Sequence, residues 1–517
     1  MSLTVQAILA MLPVITIMII MLVFRWSAAR AGVIGLVVTI VLALLGFSYG
    51  TDVYREFGIV MALAGAFSEA IFTSATILWI IFPALCIHHL QAHTGAIDTV
   101  KLKTASLSPD PRIAALLIFW FFALFIEGLA GFGTPVALTA PFLVGMGFRP
   151  VESVALALIG HSVGVSFGAV GTPILPQIAS TGFDGLELSG ATGLYHGILG
   201  WVMIFIAMFM VTKSLEVRKD ASGHIWVWTF LAAVLFLFPF FGISRWVGPE
   251  LPTLGGSLFG GLGFVAILKI AGDGNKQSEN RPPAKDIRGS RGKLLRVTAP
   301  YWILVSLILM TRLIPRLREL LSSFAWEWTL LDAFHGRFEP LYHPGTMLFV
   351  GFVAGALLQR AGQADMKAAV SESIKKLLPV TIALVAMLSL SRIMIHSGMI
   401  DSLSAGAAHA AGSFWPVLSP MVGVLGTFVT GSATASNILF TDFQQTVARN
   451  LGLPVLTMIG AQGFGAAVGN IICPHNIIAG GATVGLAGQE GKILGKTIIA
   501  CVVYSVLGGL LAMWLTR

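Results

Sequence analysis

Charged residues are scarce in this chain, and their scarcity argues against a soluble protein. Asp, Glu, Lys and Arg together make up 11% of the 517 residues, whereas a soluble domain carries about 25%. Hydrophobic residues make up 56% of the sequence, which is too many for a chain that must cover its whole surface with polar groups. We therefore expect lipid to surround a single membrane domain that runs from end to end.

Cysteine is also scarce, and the few thiols are not arranged for chemistry. The three cysteines are Cys86, Cys473 and Cys501, and each lies in or beside an apolar segment. Their spacing matches neither a metal site nor a disulfide framework. The sequence also lacks a recognisable nucleophile–base motif or metal-ligand motif, which an enzyme would need. We therefore predict no cofactor, no metal and no enzymatic activity.

The net charge of +8 does not indicate a nucleic-acid partner, because the basic residues lie in short loops between apolar runs. Cytoplasmic loops of membrane proteins carry such an excess of Lys and Arg. The most basic loop, residues 272–297, holds seven of them and two adjacent prolines. We interpret it as a cytoplasmic linker between a first membrane half, residues 1–271, and a second half, residues 298–517. This orientation places the N-terminus outside.

Apolar runs long enough to cross a bilayer recur through both halves. A span needs about 20 apolar residues, and the sequence predicts an all-α polytopic membrane protein with roughly 11–14 transmembrane helices. The first run, residues 5–24, has no convincing cleavage site, so we predict a transmembrane helix and not a signal peptide. Residues 317–341 are amphipathic and contain Trp326 and Trp328, which predicts an outer interfacial segment.

Gly, Pro and small polar residues interrupt four of the apolar segments. We name the interruptions break 1 (residues 131–135), break 2 (residues 171–173), break 3 (residues 432–437) and break 4 (residues 473–476). Breaks 1 and 2 lie in the first half, and breaks 3 and 4 lie at similar spacing in the second. This correspondence predicts two inverted repeats with broken helices or re-entrant hairpins.

Broken helices in a membrane are typical of binding sites. They free backbone N–H and C=O groups that lipid cannot satisfy, so a break must face protein or a water-filled cavity. Freed N–H groups at the start of a half-helix suit a carboxylate. We therefore expect the four breaks to converge on one small-molecule site near mid-membrane; the alternative is that small residues only allow close helix packing. The residues predicted to bind substrate at the breaks are Gly131, Gly133, Thr134, Thr172, Ser432, Thr434, Ser436, Asn437, His475 and Asn476.

Three further ionisable residues lie within apolar segments. A carboxylate at membrane depth costs at least ~2.5 kcal/mol, so we predict that Glu127 couples transport to protons; its alternative role is to cap freed N–H groups. His161 can donate to a carboxylate or relay protons, or it can be a hydrogen-bonded packing residue. Arg392 can pair with a substrate carboxylate, with Glu127 or another acid, or extend to the interface.

Around the breaks the sequence resembles the lactate permease family of bacterial organic-anion symporters. The resemblance covers nearly the whole chain. It implies a multi-pass carrier of the bacterial inner membrane that takes up L-lactate, D-lactate, glycolate or a similar anion with protons. Distant kin of that family imply a scaffold plus a moving transport domain, and often a homodimer. The segments that carry the resemblance are residues 127–137 (EGLAGFGTPVA), 166–173 (SFGAVGTP), 391–399 (SRIMIHSGM), 430–437 (TGSATASN) and 469–476 (GNIICPHN).

The chain departs from the pattern of that family at charged positions. Ala433 and Asn470 stand where many members carry Asp and Lys, and many members have an Asn near the position of His161. Two opposite charges are therefore absent, which keeps open a rival prediction: a Na⁺-coupled symporter of another small carboxylate or sulfonate. The Na⁺ site would be formed by freed carbonyls together with the side chains of Thr430, Ser432, Ser436 and Asn437. A channel or a membrane enzyme is the more remote alternative, because the sequence shows neither a repeated filter nor a catalytic constellation.

Overall fold

A computed structural model describes residues 2–24, 26–96, 108, 110–131, 133–214, 223–271, 296–486 and 489–517. Most of the predicted linker, residues 272–295, lies outside the described residues, and so does most of the loop before residue 110. The rest of the chain folds almost entirely into helices.

The first half consists of apolar helices, several of which are bent or interrupted. The fourth helix contains a π-helical stretch, Leu117–Phe122, and the sixth continues into a 3₁₀ segment, Ser162–Phe167. In order, they are α1 (Leu3–Leu22), α2 (Ala28–Gly46), α3 (Gly58–His93), α4 (Pro111–Leu129), α5 (Thr134–Gly145), α6 (Pro150–His161), α7 (Leu175–Thr181), α8 (Gly185–Leu199), α9 (Trp201–Ser214), α10 (Gly223–Trp246) and α11 (Pro252–Ile270).

The second half adds further helices and one small β-hairpin. The hairpin strands are β1 (Trp326–Leu330) and β2 (Phe334–Phe338). The helices are α12 (Ala299–Leu313), α13 (Pro315–Ser322), α14 (Pro344–Gln359), α15 (Gln363–His396), α16 (Met399–Ala411), α17 (Trp415–Thr430), α18 (Ala433–Asn450), α19 (Val455–Gly469), α20 (Pro474–Thr483) and α21 (Glu490–Leu515).

The helix lengths confirm a polytopic membrane protein. Eleven segments of the described chain are long and apolar enough to cross a bilayer. The pairs α8–α9, bent by 41°, and α12–α13, bent by 93°, bring the number to 13 if each pair is one span. These numbers agree with the predicted range. The protein is therefore an α-helical membrane protein with broken helices.

The segment predicted to lie at the outer interface contains a two-stranded β-hairpin. The short helix α13 is followed by antiparallel strands in which Trp326 pairs with Phe338. The ring of Phe334 fills the space that a side chain on Gly65 of α3 would need. The backbone N–H of His335 donates to Glu69 Oε1 at 3.1 Å. The hairpin therefore packs against a membrane helix, within a fold that is nearly all-helical, as predicted.

Two long helices cross the fold side by side. Helix α3 has 36 residues and α15 has 34, and each continues through an internal proline, Pro83 or Pro379. They pack along each other, with α2 beside α15 and α14 beside α3. The broken helices α4 to α8 and α17 to α21 form a second set of contacts, in which α19 touches α8, α17, α18 and α21, and α15 packs against α18 of this set. This second set contains the four breaks.

Candidate functional site

Breaks 1 and 2 share the triplet Gly-Thr-Pro, and the triplet has the same local structure twice. Gly133 and Gly171 have left-handed backbones with φ of 79° and 80°, a conformation that glycine adopts without the steric cost of a Cβ. Thr134 Oγ1 donates to Gly131 O at 2.7 Å, and Thr172 Oγ1 donates to Ala169 O at 2.6 Å. Each threonine thus satisfies a carbonyl that its break removes from helical hydrogen bonding.

A helix begins at break 3, and another begins at break 4. Gly431 has φ of 77° and ends α17. The Ser432 hydroxyl then caps α18 by accepting from the Ala435 N–H at 3.4 Å. Helix α19 ends at Gly469, and α20 begins at Pro474. The first N–H groups of a helix have no intrahelical partner and carry partial positive charge, which suits an anion.

Direct contacts join the breaks of one half to each other. A Cβ placed on Gly131 would lie 3.4 Å from Ala169 Cβ, next to break 2. A Cβ on Gly431, the residue before break 3, would lie 3.3 Å from His475 Cβ in break 4. Backbone segments far apart in the sequence therefore touch at these glycines.

Contacts of the same kind join the two halves. Asn476 Oδ1 of break 4 lies 3.0 Å from the position that a Cβ on Gly133 would occupy. Asn437 Nδ2, at the end of break 3, donates to the Pro173 carbonyl of break 2 at 2.8 Å. The structure thus brings all four breaks together, and we refer to these residues as the break cluster.

A buried acid and a buried imidazole lie beside the break cluster. Glu127 of α4 is 4% exposed, and His161 at the end of α6 is 1% exposed. Glu127 Oε2 lies 3.9 Å from His161 Nε2. The carboxyl group fits there because residue 168 is glycine: a Cβ at this position would overlap Glu127 Oε1. The helix that ends at break 1 and the segment that leads into break 2 therefore share one ionisable pair.

Two amides extend from this pair to break 4. Asn470 Oδ1 lies 3.1 Å from His161 Nε2 and 2.7 Å from Asn476 Nδ2. Asn470 and Asn476 are 9% and 2% exposed. Because Asn476 also lies beside Gly133, a continuous polar chain runs from Glu127 through His161 to the contact between breaks 1 and 4.

A second polar network supports break 3. The Gln462 amide of α19 donates to Ser436 Oγ at 3.3 Å and to Asn437 Oδ1 at 3.4 Å. Ser436 Oγ donates to Gly423 O at 2.9 Å, and Gln444 Nε2 donates to Gln462 Oε1 at 3.2 Å. Ser436 and Asn437 are thus held by neighbouring protein groups, a geometry that positions α18 against break 2.

The remaining predicted residues of breaks 3 and 4 differ in exposure. Thr434 is 6% exposed in the first turn of α18, and the Ser432 side chain is half-buried. His475 is exposed, although its Cβ packs against Gly431. His475 therefore lies at the edge of the break cluster.

Arg392 lies in a different set of contacts. Its Nη2 donates to Ala179 O at 3.2 Å, and its Nε lies 3.7 Å from Glu69 Oε2. Glu69 also receives His396 Nε2 at 2.9 Å. The acid beside Arg392 is therefore Glu69 and not Glu127, and Arg392 joins α15 to the end of α7 just beyond break 2.

Sequence reasoning missed two residues of the site. Asn470 departs from the pattern of the family that the sequence resembles, and Gln462 lies in none of the four breaks. Both are polar residues within apolar segments of residues 455–472, and polar side chains inside a membrane are costly unless they are hydrogen-bonded. This signal would have identified both. In the described part of the chain no group of three or more His, Cys, Asp or Glu residues could hold a metal ion.

Sequence comparison gives a consistent result over the whole chain. The profile of the family described as "L-lactate permease" matches residues 6–517. An L-lactate permease of Streptococcus iniae is 28% identical over 451 residues, covering 87% of this chain and 92% of that protein. The glycolate permease GlcA of Escherichia coli K12 is 27% identical over 549 residues, covering 98% of this chain and 95% of that protein.

Comparison with solved structures gives the same fold. The YdaH transporter of Alcanivorax borkumensis superimposes with a TM-score of 0.51 at 13% identity, covering 93% of this chain and 97% of that one. Neisseria gonorrhoeae MtrF, from a class of antimetabolite efflux pumps, gives 0.53 at 14% identity, covering 93% and 94%. At these identities the similarity shows a shared fold.

Proposed function

The chain belongs to the L-lactate permease family, and from that premise we propose that it takes up a small organic monocarboxylate by proton symport. It is a multi-pass transporter of the bacterial inner membrane and not an enzyme. The substrate class we propose is L-lactate, D-lactate, glycolate or a similar acid. Relatives named for L-lactate and for glycolate support this class.

One observation carries the proposal of proton coupling: Glu127 is buried between Gly131 of break 1 and Gly168 before break 2, beside His161. Two carboxylates in a site poor in water repel each other strongly, because the local dielectric is low. A substrate anion at the breaks is therefore favoured when Glu127 holds a proton. Loading a proton on Glu127 together with the substrate anion therefore adds no net charge to the site.

The break cluster supplies the groups that a carboxylate requires. The starts of α5 at Thr134, α18 at Ala433 and α20 at Pro474 present N–H groups of their first turns, and such groups bind anions. We propose that the substrate carboxylate binds there, with Gly131 and Gly133 allowing close approach of the backbone. The hydroxyl and amide groups of the predicted residues would contact its remaining oxygens. Arg392 would pair with the carboxylate near α7, on the way to or from the cluster.

Coupling by Glu127 also has an electrical consequence. Moving one elementary charge across the membrane potential requires about 2.3 kcal/mol per 100 mV. A carrier that moves an anion and a proton together avoids this work. We propose that both load on one side, that the break cluster moves relative to a scaffold, and that both leave on the other side. The division into a scaffold and a moving transport domain, and a homodimer, remain predictions.

The proposal is tested by uptake of labelled L-lactate and glycolate into proteoliposomes with H⁺ and Na⁺ gradients imposed separately. We expect accumulation with an inward H⁺ gradient alone. Glu127→Gln resembles the protonated residue, so this variant should lose gradient-driven accumulation but retain exchange of internal for external substrate. Accumulation driven only by Na⁺ would contradict the proposal and favour the Na⁺-coupled carrier. Accumulation by Glu127→Gln with pH alone would assign the proton to another group, with His161 the next candidate.

A further inference from the structure

We propose that Asn470 and Asn476 form an amide relay that links the proton position in the Glu127–His161 pair to the group that break 4 presents to substrate. The inference rests on the proposed function, because it explains how proton and anion binding influence each other. It assigns to Asn470 a positioning role in coupling.

The first step fixes one proton of His161. Its Nδ1 lies 2.6 Å from the Ala157 carbonyl oxygen. A carbonyl can only accept a hydrogen bond, so Nδ1 must carry a hydrogen. The only variable proton on this imidazole is therefore the one on Nε2, which lies 3.9 Å from Glu127 Oε2 and 3.1 Å from the Asn470 side chain.

The second step is that one atom of the Asn470 side-chain amide lies within hydrogen-bond distance of two groups. The same atom position contacts His161 Nε2 and the Asn476 amide, at 3.1 and 2.7 Å. An amide oxygen at this position can accept twice, and an amide nitrogen can donate twice. Rotating the Asn470 amide by half a turn exchanges the two. Either orientation satisfies both contacts, provided that the partners change together.

The third step relates these orientations to protonation. When His161 Nε2 carries a hydrogen, Asn470 presents its oxygen, Asn476 donates to it, and Asn476 Oδ1 faces Gly133. When Nε2 is bare, Asn470 presents its NH₂ group, Asn476 accepts, and its own NH₂ group faces Gly133. The group beside break 1 is therefore an acceptor in the first state and a donor in the second.

Only the second state suits a carboxylate at break 1, because a carboxylate accepts hydrogen bonds. The change requires one proton transfer: the N–H bond of His161 Nε2 breaks, and an O–H bond forms at Glu127 Oε2. The two atoms must approach each other or be bridged by a water molecule. The total charge of the pair is unchanged, and the proton comes to rest on the group that would otherwise repel the substrate.

Other titratable groups near the Glu127–His161 pair do not take the place of Glu127 as the proton acceptor for His161. Cys473 and His475 belong to break 4 and contact the position of a Cβ on Gly431, at 3.9 and 3.3 Å. His196 of α8 lies 2.8 Å from Ser166 Oγ and 2.9 Å from the Tyr504 hydroxyl. Its two nitrogens are thus both engaged. In the described structure, Glu127 is the acid that forms an ion-pair contact with His161.

The relay is tested first without substrate, in the full-length protein in bilayers. Solid-state NMR on ¹⁵N-labelled histidine and asparagine follows the His161 ring and the Asn476 amide across a pH titration. In the unmodified protein both should shift with the same midpoint. In Asn470→Leu, His161 should still titrate and Asn476 should not. Gln177→Leu is the matched control, because it removes a buried amide that bonds Ile459 O instead; there the two should still shift together.

Two results would overturn the relay: an Asn476 amide that does not follow His161 in the unmodified protein, or one that still follows it in Asn470→Leu. If Asn470→Leu does not fold, Asn470→Asp provides the second variant. Its ionised carboxylate can only accept and keeps the proton on Nε2. Half-saturation for L-lactate should therefore rise about tenfold or more, as expected when a hydrogen bond to a charged group is lost, and unchanged half-saturation would contradict the relay.

The outcomes separate the relay from the proposed function. If the unmodified protein takes up none of the proposed acids, the proposed function fails while the NMR titration still decides the relay. If Asn470 variants keep the normal pH dependence of uptake, the relay fails and proton symport stands.

Discussion

At the scale of single residues, the position of the Glu127 side chain depends on neighbouring glycines, which have no side chain. Gly168 has no side chain to collide with the carboxyl group, and Gly131 leaves room on another side, with Glu127 Oε1 3.4 Å from its missing Cβ. The carboxyl group is thereby held near His161 and against break 2. Small residues at these positions determine where the ionisable group lies, although they carry no chemistry themselves.

Gly168→Ala tests this arrangement. The added methyl group would overlap Glu127 Oε1, so we expect the carboxyl group to move away from His161 and proton-driven uptake to fall sharply. Overpacking of this kind destabilises by about 1–3 kcal/mol. Gly145→Ala is the control, because a Cβ there meets no atom within 4 Å. Thermal unfolding in detergent and uptake assays would check both; full coupling in Gly168→Ala would contradict the arrangement.

Asn437 provides a second residue-scale prediction. Its amide bonds the Pro173 carbonyl and receives Gln462, so it joins break 3 to break 2. Asn437→Ala should weaken substrate binding by about 0.5–1.5 kcal/mol, the usual value of a neutral hydrogen bond, without preventing folding. Binding measured by titration with L-lactate would show this loss. Unchanged affinity would remove Asn437 from the substrate site.

At the scale of elements, a buried ion pair connects break 2 to the second half. Arg312 of α12 pairs with Glu250, which lies in the loop between α10 and α11, and its guanidinium stacks 3.9 Å over the Tyr342 ring. The neighbouring Pro249 carbonyl occupies the space beside Gly171. The side chains of Arg312 and Glu250 are 10% and 6% exposed. The pair therefore holds a loop against break 2.

Replacing one partner of this ion pair should destabilise the protein more than replacing both partners. Arg312→Met leaves Glu250 buried without a counter-charge, and breaking a buried pair costs about 3–5 kcal/mol. The double variant Glu250→Leu/Arg312→Met should recover much of that loss, since replacing both partners by apolar residues is often neutral. Unfolding midpoints in detergent would compare the two. A double variant no more stable than Arg312→Met would refute this interpretation.

The sequence predicted helices better than it predicted the hairpin, for a physical reason. A run of about 20 apolar residues indicates a membrane helix by itself, and the long segment of α3 indeed forms one helix. Strand pairing depends on residues that are distant in the sequence. Residues 317–341 were recognised as amphipathic, but the contact of Phe334 with Gly65 joins positions that no local pattern relates.

At the scale of the whole molecule, the breaks were predictable and the groups that connect them were not. Gly and Pro mark an interruption locally, so breaks 1 to 4 stand out in the sequence. The bond between His161 and Asn470 spans 309 positions, and neither residue indicates the other. The same is true of Arg392, whose acid partner proved to be Glu69. Inverted repeats and a homodimer remain predictions about the assembled molecule.

Proton symport is the central claim, and one measurement tests it most directly. Purified protein is reconstituted in weakly buffered proteoliposomes with no imposed gradient and no Na⁺, and L-lactate or glycolate is added outside while external pH and uptake are recorded together. The proposed mechanism predicts external alkalinisation in step with uptake, one proton for each acid, and no coupled pH change with Glu127→Gln. Saturable uptake by the unmodified protein without any pH change, or uptake that begins only when Na⁺ is added, would contradict it.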